Sequence, residues 1–328
     1  MTSIKSLLRL ALVAVGLLFV SSAAEAAPCF WVGGTATWDN TNTGGGGTGG
    51  IKWASTSGGS TACVATSGPV ATVPGPSDTV TFDGNSGGGT VTVNGTAYSG
   101  CTANVCMSSL TTSAFTGTIN WATNTQSMTW SNTWTDAASG VHTLNLGSGT
   151  FTSTLNGTGG LSFTTSGNLT CTCSSEALVF SNASPTAVRG INPGDYSFGS
   201  LTVTGSGAPA PGFYINGTGW TFSSITNGTC QSILFLPSSS GTITNAPTWN
   251  GNSTCQILIS TSPTNGGQVT LTISSGTPTI TWAGLSDIKF ASGAVSPTNS
   301  FDLGGNNMDG GTITPPSGGS SATGKIFP

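Results

Sequence analysis

Charge is what this chain has least of. Of its 328 residues, 5% are Asp, Glu, Lys or Arg, against roughly a quarter in an ordinary globular protein. Beyond residue 26 the only cations are Lys52, Arg189, Lys289 and Lys325, set against nine acids spread from Asp39 to Asp309. Counterion release from phosphates needs clustered Lys and Arg, so the composition argues against nucleic acid and against an anionic membrane surface as partners. Histidine occurs once, at His142. A lone histidine makes no triad, and without paired C-x-x-C spacing the chain encodes no zinc-type site. Helical periodicity is missing too: no window after residue 26 sustains apolar residues at i, i+3, i+4 and i+7, which excludes a helical fold.

Long apolar runs are equally scarce. The one that stands out is Leu10 to Val20 (LALVAVGLLFV), eleven residues preceded by Lys5 and Arg9. That is short of the roughly 20 residues a membrane-spanning helix takes. Ala24-Glu25-Ala26 follows with the small-x-small pattern of signal-peptidase cleavage. Residues 1–26 therefore read as a signal peptide. The expected location is secreted, extracellular or at the cell surface, with the periplasm also open, and no membrane span is expected.

The eight cysteines, at 29, 63, 101, 106, 171, 173, 230 and 255, all lie beyond that leader. An even count in an exported chain favours disulfides. Neighbour-to-neighbour pairing is the simplest of the many possible connectivities: 29–63, 101–106, 171–173 and 230–255. Cys171 and Cys173 are the awkward pair, because alternate residues of a strand point the same way.

Glycine is abundant, at 50 residues, but so are β-branched residues, and nine Trp and fourteen Phe accompany them. Disordered chains lack such residues, so a folded protein is expected. Strand signals recur from Ser77 onward as short alternating runs separated by Gly/Ser/Asn corners. They include TVTF (79–82), TVTV (90–93), TINW (118–121), HTLNL (142–146), SLTVT (200–204), QILIS (256–260), VTLTI (269–273) and DIKF (287–290). A β-sandwich is the alternative assembly, but its solvent faces would normally carry charge. A solenoid fits better, with Thr, Ser and Asn laddered outward and Val, Ile, Leu and Phe stacked inward. The expected fold is all-β, a right-handed parallel β-helix over residues 74–312. An aromatic-rich N-terminal cap (27–73) covers its first edge, and a polar tail (313–328) follows.

The segments WVGGTATWDN (31–40), VPGPSDTVTFDG (73–84), GGGTVTVNG (87–95), SLTTSAFTGTI (109–119), LSDIKFASG (285–293) and NSFDLGGN (299–306) carry a resemblance. They resemble secreted or virion-associated parallel β-helix proteins of bacteria and tailed phages, and the repeats of autotransporter passengers. The resemblance implies a pectin-lyase-like β-helix with an extracellular role in surface structure or attachment. It departs from autotransporters after residue 312, where no alternating translocator segment follows.

Polysaccharide lyases share this fold and use carboxylates with an Arg or Lys base, so Arg189, Asp195 and Glu176 are the candidates for an active site. A surface ion pair accounts for them more simply. Asp78 and Asp83, five apart, fall on opposite faces of one strand and read as corner residues. Tryptophans 38, 53, 121, 130, 134, 220, 249 and 282 are candidates for sugar stacking, with core packing favoured for those in strands. Repeated Thr-x-Thr (79–81, 90–92, 202–204, 242–244, 270–272, 279–281) raises the possibility of a flat ice-binding array. Irregular spacing between copies argues against it, and the β propensity of Thr explains the pattern. No catalytic, cofactor-binding or metal-binding residue is assigned, and no cofactor. The expected function is an exported, non-enzymatic surface-structural, matrix or adhesin-like protein, with carbohydrate or a cell-surface polymer as partner. A polysaccharide-active enzyme or a carbohydrate-binding module is the alternative.

Overall fold

The computed structural model describes residues 26–317 except 99, 138, 155–159, 164–166, 183–188, 206–211, 229–230, 262–266 and 292–293, and without the side chains of 182, 189 and 205. The leader sequence, Cys230 and residues 318–328 lie outside the described residues. What is described is all-β. Two single turns of 3-10 helix, Thr48–Gly50 and Ala122–Asn124, are the helical elements among the described residues.

Strands coil into a parallel solenoid. Thr79–Phe82 lies in a 12-stranded sheet, Thr90–Val93 in a 5-stranded sheet and Val105–Met107 in an 11-stranded sheet. Ser109–Thr112 then returns to the first sheet, pairing Val80 with Leu110 in parallel. TVTF and TVTV are thus two walls of one coil rather than a hairpin, because successive coils supply the pairing that each strand alone lacks. Val80, Phe82, Val91 and Val93 point inward and are buried, while the threonines between them face out. Period-two alternation does this automatically.

The parallel stack begins before residue 74. Pro28–Trp31 pairs with Thr79–Phe82, and Ala36–Trp38 with Thr90–Val93. Trp53–Ala54 then runs antiparallel against Pro28–Trp31 and covers an otherwise open edge. Trp31, Trp38, Trp53 and Phe82 meet beneath it at ring separations of 4.9 to 5.9 Å. The Cys29–Cys63 disulfide ties the segment down. Cys101–Cys106 and Cys171–Cys173 pair as neighbour order predicts, Cys173 lying just past the end of Leu169–Thr172. Cys255 is disulfide-bonded as well.

The walls are not constant along the column. The 5-stranded sheet ends at Leu169–Thr172. In the next coil the corresponding stretch contains Pro193, which has no N–H to continue the ladder, and the Tyr196 hydroxyl donates to the Leu169 carbonyl at 3.3 Å. Further on, a new ladder of Thr248–Asn250 and Thr279–Thr281 grows off the long strand Thr218–Asn227, through Thr226↔Thr248. Its two strands belong to the 11-stranded sheet as a branch and follow that sheet's main ladder in chain order, whereas the 5-stranded sheet precedes it.

Candidate functional site

Ionisable side chains that the fold turns inward are the first place to look for chemistry. Asp78 is fully buried where the cap meets the first coil. Its carboxylate accepts from the Thr66 hydroxyl at 2.6 Å, the Thr66 amide at 3.0 Å and the Gly75 amide at 2.9 Å. Burial alone would raise its pKa, but these donors outweigh it and hold the carboxyl below the usual range. Asp83 faces out and closes a turn, accepting from the Asn85 amide at 2.9 Å. Lys52 is buried and donates to Asp39 at 2.8 Å and to the Thr41 hydroxyl at 3.1 Å. Burial pushes Asp39 up, yet its bonds to Lys52 and Thr41 leave it lowered.

A second inward pair is Asp136 with His142. Asp136 ends the strand Trp134–Asp136, and His142 begins His142–Asn145. Both are buried, and Nε2 of the histidine lies 2.7 Å from Oδ2 of the aspartate. Nδ1 lies 2.7 Å from the Gly140 carbonyl. The Gly140 carbonyl can only accept, so Nδ1 is the donor to it, and the carboxylate beside Nε2 favours the protonated ring. Burial works against that charge, but the bonds to Asp136 and Gly140 prevail and raise the histidine pKa. The Phe115 ring stands 6.0 Å from the imidazole. Both ring nitrogens are engaged by Asp136 and Gly140, which leaves the imidazole in a structural role.

Glu176 is also buried. Oε1 accepts from the Gly199 amide at 2.9 Å, and Oε2 has no partner. Burial pushes its pKa up to about 7 despite that bond. Asp195 by contrast is exposed. Glu176 is therefore withdrawn from any surface arrangement with Asp195, and the Arg189 side chain lies outside the described residues. Among the described residues no group of three or more His, Cys, Asp or Glu could hold a metal ion. No described helix is long and apolar enough to cross a membrane.

Eight tryptophans, 31, 38, 53, 121, 130, 134, 220 and 249, are buried. None of them can offer a ring face to a sugar. Trp282, half-buried and at φ 53°, is the exception.

The outer surface carries a shallow groove of about 250 Å³ on the 12-stranded wall. Its floor is Gly160 and Gly190, and its sides include Ser162, Asn192, Tyr214 and Asn216. A side chain at Gly190 would begin 3.3 Å from Cβ of Tyr214, so glycine there keeps the backbone open beneath the ring. The groove combines an aromatic side, two amides, a hydroxyl and bare backbone, with no charge. Tyr214 was not among the residues singled out from sequence. The run FYI does place Tyr214 outward between inward Phe213 and Ile215, which was the available signal.

No family model, curated protein or solved structure matches this chain.

Proposed function

We propose that this chain is an exported, non-enzymatic β-solenoid that serves as a surface-structural or attachment protein, with a neutral carbohydrate or cell-surface polymer as its partner. The observation that carries this reading is the groove at Tyr214. A polyhydroxylated neutral ligand is recognised by stacking on an aromatic face and by amide N–H donors, which Tyr214, Asn192 and Asn216 supply together, the two amide oxygens being held by the Gly194 and Gly217 backbone. A charged polymer would need opposing charge, and the groove has none. The burial of Glu176 favours attachment over the lyase alternative.

A glycan array probed with the leaderless protein tests the reading. Binding to neutral glycans that is lost in Tyr214→Ala, with thermal stability retained, is the expected result. No binding across the array, or turnover of a uronate polymer that depends on Arg189 or Asp195, would overturn it.

A further inference from the structure

The 5-stranded sheet carries a second feature, which does not depend on the groove. Its outward positions form two rows in strict register. Thr90, Thr118, Thr143 and Thr170 make one row. Thr37, Thr92, Asn120, Asn145 and Thr172 make the other. The irregular spacing of Thr-x-Thr in sequence hid this, because the loops between coils differ in length while the pairing register does not. The matching positions read Thr-x-Asn in two strands, which a search for Thr-x-Thr passes over. All the threonines of both rows are at least partly exposed, and no hydroxyl among them has a hydrogen-bond partner among the described residues. The Asn120 amide is tied locally to Thr123 and Ala122. Neither row contains a charged or aromatic residue.

We infer that this wall binds ice, a periodic lattice of neutral water. The rows repeat every 4.7–4.9 Å across strands and roughly 6.7 Å along them. In a tetrahedral lattice with O···O of about 2.75 Å, waters sharing a neighbour lie about 4.5 Å apart, and the perpendicular repeat is about 7.3 Å. The mismatch across strands accumulates to about 1–1.5 Å over the five rungs. Threonine offers a hydroxyl that donates and accepts beside a methyl, on a stiff χ1, so the array is preordered. A crystalline polysaccharide is also flat and neutral, but this wall lacks the aromatic rings on which sugars stack.

The test is partition of the fluorescently labelled, leaderless protein into slowly growing ice, with thermal hysteresis measured in parallel. Wild-type protein is expected to enter the ice and give hysteresis. Thr118→Tyr and Thr143→Tyr, which interrupt the threonine row, are expected to lose both. Thr135→Tyr, outward on the 12-stranded wall, is expected to retain both, and circular dichroism confirms that each variant is folded. Exclusion of the wild type from ice, or equal loss in Thr135→Tyr, overturns the inference. So does binding to insoluble cellulose or chitin that requires Thr118 while ice is not bound. Tyr214→Ala should leave ice partition unchanged, so failure of the groove and failure of this wall are told apart.

Discussion

The two halves of the column fill the same kind of interior with different material. From the cap to Phe163 it is aromatic: Trp31, Trp38, Trp53, Phe82, Phe115, Trp121, Trp130, Trp134, Phe151 and Phe163 are all fully buried. From Ile191 onward isoleucine takes over, at 191, 215, 225, 233, 243, 257, 259, 273, 280 and 288, with fewer rings between. Buried ionisable groups divide the same way. Lys52, Asp78, Asp136, His142 and Glu176 belong to the first half, and the buried polar residues beyond it are uncharged among the described residues. Even the indoles differ. In the first half Trp31 donates to Gly34 at 3.2 Å, but the N–H groups of Trp53, Trp121, Trp130 and Trp134 have no acceptor, whereas Trp220 donates to Gly217 and Trp249 to Ile225 at 3.1 Å each. Register partners in the first sheet stand 30 residues apart at Thr79↔Ser109, but 20 apart at Ile215↔Phe235. Longer coils with a separate third wall enclose more volume, and large rings fill it. Shorter coils close on branched aliphatics. Among the described residues, the first half therefore carries the buried ionisable groups and the indole N–H groups without acceptors, while the second half leaves the Gln256 side-chain oxygen without a partner.

The sharpest break in that contrast is Trp134→Ala. Trp134 meets Trp121, Trp130, Phe151 and Phe163 at ring separations of 5.3 to 6.1 Å. Truncation leaves a cavity among stiff rings that cannot collapse into it, and the expected loss is about 3–5 kcal/mol. Denaturant unfolding followed by tryptophan fluorescence measures it. A loss below that range would show that the aromatic half is loosely packed.

Next in size is the pH response, which should belong to the first half alone. Glu176 is raised to about 7 in the fold from an ordinary 4.5. The native state then holds a proton the unfolded chain has lost, so stability falls as pH rises between those values. The full difference corresponds to about 3 kcal/mol. His142 is also raised, so its contribution is present below about 6.5 and is lost as pH climbs through its folded value. Thermal unfolding from pH 5 to 9 should show a falling midpoint. Glu176→Gln should flatten its acidic part and His142→Gln its upper part. A pH profile unchanged by both substitutions would remove the electrostatic half of the comparison.

The sequence made the solenoid legible because alternation, corners and the lack of surface charge all point to stacked coils. It also placed Asp78 and Asp83 on opposite faces, as found. Several strands escaped notice: Trp134–Asp136 and Thr150–Ser153 are short, and Ala283–Ser286 contains glycine. They become strands only through pairing with coils 17 to 27 residues away. The same alternation carried an unread signal about the buried charges. Asp136 shares the parity of inward Trp134, His142 that of Leu144, Glu176 that of Leu178 and Asp78 that of Val80. Each therefore had to point into the core and find a partner or lose its charge. Which partner it met was not legible, since Asp136 and His142 lie at the ends of strands in different sheets.

A matched pair of changes sharpens the indole difference. Trp249→Phe removes a donor and leaves the Ile225 carbonyl buried without it. Trp130→Phe removes an N–H that has no acceptor. Both lose similar ring area, so the Trp249 variant should be the less stable of the two by about 1–3 kcal/mol. Equal losses, read from denaturant midpoints, would mean the first-half indoles are satisfied by water.

The smallest expected effect tests the aliphatic half on its own terms. Ile259 is fully buried, with Ile233 paired on one side and Leu285 on the other. Ile259→Val deletes one methylene from the middle of this ladder and keeps the β-branched shape that the strand favours. The backbone pairing is untouched, so the change reports packing alone, and about 0.5–1.5 kcal/mol is the expected loss. A value near the top of that range means the isoleucine ladder is packed as tightly as the aromatic one. A value near zero would mean that the shorter coils relax around the gap, so that close packing is a property of the ringed half only.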